Sequence, residues 1–144
     1  MKKLYGASFF ADLCAEAGVP CDLTHWYADY SVRDLANLWR ICAQWLSSDD
    51  ANAQWLADLM GNSLNSQVDD IAGEGATTWS KAGWYSGGGP RYDVTFDGGV
   101  VNAEQGSYAI AVATNRGSDF VTVERVMRPL ATLAEAGLGA TRAQ

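Results

Sequence analysis

A chain of 144 residues matches one ordinary domain and is long enough to bury a single core without staples. Its ten Lys and Arg are scattered among seventeen Asp and Glu, and the net charge of -7 argues against a nucleic-acid or anionic-membrane partner, which would need clustered cations. No apolar run approaches the roughly 20 residues of a membrane span, and Met1-Lys2-Lys3 leads into Leu4-Tyr5-Gly6 and then acidic residues, which is not a signal-peptide pattern.

The hydrophobic period changes once, near residue 75, from helical to alternating. The sequence therefore predicts an α+β chain, with a helical part over 1–75 and antiparallel strands plus a final helix over 76–144, forming one compact unit. Phe9, Phe10, Leu13 and Ala17 mark one face of a helix over 6–17, stopped at Gly18-Val19-Pro20. Ser31-Val32-Arg33-Asp34 reads as a capping box with Asp in place of Glu. It opens a helix over 32–46 whose face is Leu35, Leu38, Trp39, Cys42, Trp45 and Leu46. Ser48-Asp49-Asp50 can cap a third helix with Trp55, Leu56, Leu59 and Met60 on its face, ending at Gly61-Asn62, and a short helical turn is expected around 66–71.

From Ala76 the residues favour strands, with glycines at 87–89 and 98–99 as punctuation; three antiparallel strands are expected near 76–85, 93–103 and 107–114. Tyr108 to Ala113 is apolar on both faces, as a central strand usually is, yet the strands visible in the sequence leave it at an edge. After Gly117-Ser118-Asp119 a last helix is expected to turn Phe120, Val123, Val126, Met127, Leu130, Leu133 and Ala134 inward, to kink at Pro129 and to fray after Gly137.

Most chemistry is missing from the residue inventory. His25 is the only histidine, which removes His-rich metal sites and H-E-x-x-H; beside Trp26 and Tyr27 it is expected to pack or cap locally. Cys14, Cys21 and Cys42 have neither redox nor zinc spacing and are expected to be buried free thiols. No phosphate-binding glycine motif opens a helix, and Ser86-Gly87-Gly88-Gly89-Pro90 reads as a flexible turn between strands. The neighbours Asp49/Asp50 and Asp69/Asp70 point in different directions on a helix and read as solvated helix ends. Lys81 remains. Strand alternation puts Trp79, Lys81 and Gly83 on one face and Ser80, Ala82 and Trp84 on the other. A lysine in mid-strand between tryptophans either snorkels to water from an edge or serves a site.

Several segments resemble the C-terminal half of a class A β-lactamase-like serine hydrolase, in the superfamily of β-lactamases and penicillin-binding proteins. Lys81-Ala82-Gly83 is similar to its Lys-Thr/Ser-Gly strand, Asp97-Gly98-Gly99-Val100-Val101 to its Asp-Ala-Gly-Ile-Val strand, and Tyr108 to Asn115 to the strand before its last helix. Tyr30 to Ala36 resembles the helix start after its Ω-loop, and Phe9 to Leu13 an earlier helix. The resemblance implies a partial β-lactamase-like fold, acyl-enzyme hydrolysis of a β-lactam or peptidoglycan-like amide without a cofactor, a link to penicillin binding and antibiotic resistance, and an extracytoplasmic setting. It further implies that Lys81 supplies positive charge, that Lys81, Ala82 and Gly83 line the substrate, and that the backbone N–H of Trp84 is one of two oxyanion-hole donors.

Against that pattern, Ala82 lacks the hydroxyl that helps hold the substrate carboxylate. No serine is followed three residues later by lysine, so Ser-x-x-Lys is absent, as are Ser-Asp-Asn and a Glu between Trp26 and Ser31. The chain is therefore expected to be inactive in isolation, as a hydrolase fragment or, alternatively, as a non-catalytic binding or assembly module that forms a homodimer through the strand at 107–114.

Overall fold

The computed structural model describes residues 8–20 and 29–142. Its elements in chain order are α1 (Ser8–Ala17), α2 (Val32–Leu46), α3 (Ala51–Met60), α4 (Gln67–Ile71), β1 (Thr77–Ser80), β2 (Gly83–Tyr85), β3 (Val94–Ala103), β4 (Gly106–Thr114) and α5 (Phe120–Arg142). The expected positions of His25 and Cys21, the Trp26–Tyr27 pair and the first residues of the helix expected from residue 6 lie outside the described residues.

Capping fixes the helix starts. Ser31 Oγ accepts the Asp34 N–H at 3.1 Å while Asp34 Oδ2 accepts the Ser31 N–H at 2.9 Å, so the box closes with Asp in place of Glu. Asp50 caps α3 by accepting the N–H groups of Asn52 and Ala53. Ser66 caps α4. Gly18, at φ +66, ends α1 in the left-handed conformation that glycine enters without a Cβ clash.

The strands form one antiparallel sheet in which β3 pairs with β1 and β2 along one side and with β4 along the other. The single strand expected over 76–85 is split into β1 and β2, but the register runs on across the gap: Ser80 faces Gly99 and Gly83 faces Phe96. β4, apolar on both faces, pairs only with β3 among the described residues and is an edge strand.

Helices cover both faces of the sheet. On one, Trp39 and Leu46 of α2 bury with Val100, flanked by Trp79, Ala109 and the α3 residues Leu56, Ala57 and Met60. Gly98 packs closely there: a Cβ would stand 3.0 Å from the Trp39 indole nitrogen and 3.1 Å from the Ile110 carbonyl oxygen, so its neighbours would have to give by a few tenths of an ångström. On the other face, Val68 of α4 and Val123, Met127 and Ala131 of α5 pack on Val101, Ile110 and Val112. Each such side chain contributes about 1.5–3 kcal/mol on full burial.

Several inward assignments are corrected. Trp45 on α2, Trp55 and Leu59 on α3, and Val126, Leu130 and Leu133 on α5 are exposed. The apolar arcs of these helices are wider than the surfaces they cover, so residues one position off the central stripe face outward, while Ala53, Met127 and Ala131 take the buried positions. The last helix also does not fray at Gly137. It continues to Arg142, with Thr141 Oγ1 bonded to the Gly137 carbonyl and Leu138 packed against Gly106. Pro129 lies within that helix.

Candidate active-site edge

Lys81, Ala82 and Gly83 lie where β1 passes into β2, on the side of the sheet away from β3's partner β4. The Lys81 N–H donates to the Gly98 carbonyl at 3.0 Å. Backbone groups in an antiparallel strand alternate between facing the partner and facing away, so the continued register turns the Gly83 N–H toward β3 and the Trp84 N–H outward, to the open edge. The same alternation sorts the side chains. Trp79 joins the cluster around Trp39, whereas Ser80 and Ala82 are buried toward α4 and α5, and Trp84 meets Phe120 of α5 edge-to-face at 5.1 Å.

Each residue of the motif has a local physical role. Lys81 is exposed, and its ammonium group turns back to donate to the Ala82 carbonyl oxygen. Ala82 is 1% exposed, so its methyl group faces the interior. Gly83 leaves room for the Phe96 ring: a Cβ there would stand 2.4 Å from Phe96 Cζ. Next to this edge a cleft of about 650 Å³ runs between α3 and β1, lined by Gln54, Asp58, Asn62, Thr77, Thr78 and Trp79 among others.

Behind the motif stands a polar network that the sequence reading did not single out. Asp69, expected as a solvated helix end, instead accepts the hydroxyl of Thr78 and, at 3.4 Å, that of Ser80, tying α4 to β1. Asp97 is fully buried; it accepts Ser66 Oγ at 2.9 Å, the Gln67 N–H, and the Gly98 N–H at 2.8 Å. Burial pushes its carboxyl above the ordinary range, opposed by the hydrogen bonds from Gln67, Ser66 and Gly98. An acidic residue in mid-strand before two glycines and two valines was the available signal, since a buried carboxylate requires donors.

Beside Trp84, Asp119 donates its N–H to Thr95 Oγ1 at 2.8 Å and caps α5 through the Thr122 N–H, and the bonds from Thr122 hold its carboxyl below the ordinary range. Cys14 is buried and Cys42 partly so, with the Cys42 thiol raised by burial. The glycine turn after β2 is closed by a Gly88 N–H bond to Asp93, with Gly87 and Gly89 at positive φ. Among the described residues no three His, Cys, Asp or Glu side chains are grouped to hold a metal, and no helix is long and apolar enough to cross a membrane.

Sequence and fold comparisons agree with this architecture. The model of the Beta-lactamase enzyme family matches residues 17–137, and the chain belongs to that family. Its fold is that of part of a β-lactamase. The β-lactamase of Sphaerobacter thermophilus DSM 20745 superposes with a TM-score of 0.67 at 16% identity, covering 96% of this chain and 56% of that one. PBP-A superposes with a TM-score of 0.62 at 20% identity, and a mutant of PBP-A in an acyl-enzyme complex with penicillin G with 0.61 at 22%. Each PBP-A chain is covered over 54% of its length, so this chain spans about half of the structures it matches. No curated protein matches the sequence.

Proposed function

We propose that this chain is the part of a serine β-lactamase-like hydrolase that forms the Lys81-Ala82-Gly83 wall of the active site. The observation that carries the reading is the register of β1 and β2 on β3, which leaves Lys81 exposed at an open edge and turns the Trp84 N–H outward beside it. In this role Lys81 orients an anionic substrate group by charge, and the Trp84 N–H donates to the oxyanion that develops as an acyl-enzyme forms. Gly83 lets the strand pass over the Phe96 ring of β3. The Ala82 methyl group faces the interior, so this residue lines the wall through its backbone alone.

The nucleophilic serine, its lysine and the Ser-Asp-Asn element come from the rest of the fold, which the chain does not span. A lysine and one oxyanion donor do not by themselves supply a nucleophile, so the chain alone is inactive. The substrate class is a β-lactam or a peptidoglycan-like amide, and the setting is extracytoplasmic. The test is to incubate the full-length protein with penicillin and measure its mass. A penicillin adduct on one serine outside these 144 residues supports the reading, and neither adduct nor hydrolysis with any penicillin or cephem contradicts it.

A second reading is favoured by a different observation. Among the described residues β4 has no strand on its outer edge, and beside it lies an apolar groove of about 310 Å³ lined by Val32, Ala36, Ile110, Leu130 and Ala134, with Leu133 exposed nearby. A non-catalytic assembly module pairing β4 with a second copy would cover this edge. A monodisperse monomer at micromolar concentration would remove that reading.

A further inference from the structure

In a regular antiparallel pair whose first member donates its N–H to the other's carbonyl, the second N–H returns to the first carbonyl. Lys81 and Gly98 make only half of this exchange. The Lys81 N–H donates to the Gly98 carbonyl at 3.0 Å, but the Gly98 N–H donates to Asp97 Oδ1 at 2.8 Å. The sheet ladder is interrupted at this point, between Ser80 and Gly83, although the register on both sides is continuous.

The diverting carboxylate is held firmly. Asp97 sits at 0% exposure on the central strand, and its oxygens are fixed from α4 by Ser66 Oγ and the Gln67 N–H. Ser66 is itself buried and caps α4 through the Val68 N–H. In the continued register Asp97 lies across from Ala82, whose buried methyl offers it no hydrogen bond. Breaking any one of these contacts leaves a buried donor or acceptor without a partner, which proteins avoid.

We infer that Asp97 is a positioning residue for the Lys81-Ala82-Gly83 edge: by capturing the Gly98 N–H it releases the Lys81 carbonyl from the ladder and sets how the Lys81 side chain and the Trp84 N–H are presented. It touches no substrate and acts through Gly98. Its importance for catalysis rests on the function proposed above, while its effect on the backbone does not.

The test is nuclear magnetic resonance on the 144-residue chain, comparing wild type with Asp97→Ala, Asp97→Asn and Ser66→Ala. The coupling transmitted through a hydrogen bond from the Gly98 nitrogen to the Lys81 carbonyl carbon should be absent in wild type. It should appear in Asp97→Ala as the ladder closes, with the amide signals of Lys81, Ala82 and Trp84 displaced and those of the Val101–Tyr108 pair unchanged. Asp97→Asn keeps an oxygen for Gly98 and should retain the wild-type signals at Lys81 and Trp84. Ser66→Ala is the control for lost stability alone and should lower the melting temperature without displacing them.

A Gly98-to-Lys81 coupling already present in wild type would overturn the inference, even if Asp97→Ala does not fold. So would Asp97→Asn and Ser66→Ala displacing the Lys81 and Trp84 signals to the same extent. A missing penicillin adduct on the full-length protein would instead remove the catalytic reading and leave these signals as expected.

Discussion

Along β1 and β2 the sheet ends in an exposed lysine backed by the buried Asp97 and half-buried Asp69 carboxylates, hydroxyls and backbone donors; along β4 it ends in alanines, Ile110 and an apolar groove beside α5. The first side is specified by hydrogen bonds that the Asp69 and Asp97 carboxylates accept, from the adjacent Gly98 and from donors 9 to 31 residues away in sequence. The second is specified by hydrophobic packing, and its outer surface is left uncovered by the described residues. A polar network fixes directions, and apolar burial supplies the stability that lets such a network exist at all.

That contrast can be broken most forcefully from the packed side. Met127→Ala removes a side chain with 0% exposure from the cluster between α5 and the sheet, and a loss of about 2–5 kcal/mol is expected in urea unfolding. A loss near zero would mean that α5 does not hold the sheet.

A second, smaller effect belongs to the polar side and is read against pH. Burial raises the Asp97 carboxyl, so the folded state holds that proton more tightly than the unfolded chain. The stability linked to it is complete below the ordinary carboxylate range, near about 3.9, and is lost as pH rises through the folded value. The stability of wild type minus that of Asp97→Asn should therefore fall with rising pH through the acid range and then level off. Asp119, lowered by its bonds to Thr122, has the opposite sign: its contribution is present above the ordinary range and is lost as pH falls. A wild-type advantage over Asp97→Asn that grew with pH would mean that the hydrogen bonds to Asp97 outweigh its burial and lower its carboxyl.

The smallest expected changes fall on exposed residues. Lys81→Ala and Leu133→Lys should each alter stability by only about 0.5 kcal/mol or less, because neither removes a buried contact. The two differ in what else they change: Leu133→Lys should weaken any self-association measured by sedimentation, and Lys81→Ala should not.

The helix starts and the strand positions were legible because they are local. Ser31 and Asp34 stand three residues apart and close their box without help from the rest of the chain. The segments at Lys81, Asp97 and Tyr108 that resemble the family lie between β1 and β2, on β3 and on β4, which pair side by side. What was not legible depends on distance. Nothing in the hydrophobic period distinguishes Met127 from Val126 or Leu130 from Ala131; the width of the sheet beneath α5 decides which are buried. Asp69 looked like a solvated helix end because its partners, Thr78 and Ser80, lie on a strand beyond a turn. Asp97 was read as part of a motif and not as the carboxylate that interrupts the ladder at Lys81.

The most direct test of the claim that this chain forms one wall of an active site and lacks the nucleophile is to incubate the isolated 15.5 kDa chain with excess penicillin G and measure its intact mass. The account predicts an unmodified chain. A stoichiometric penicillin adduct on any of its own serines would contradict it.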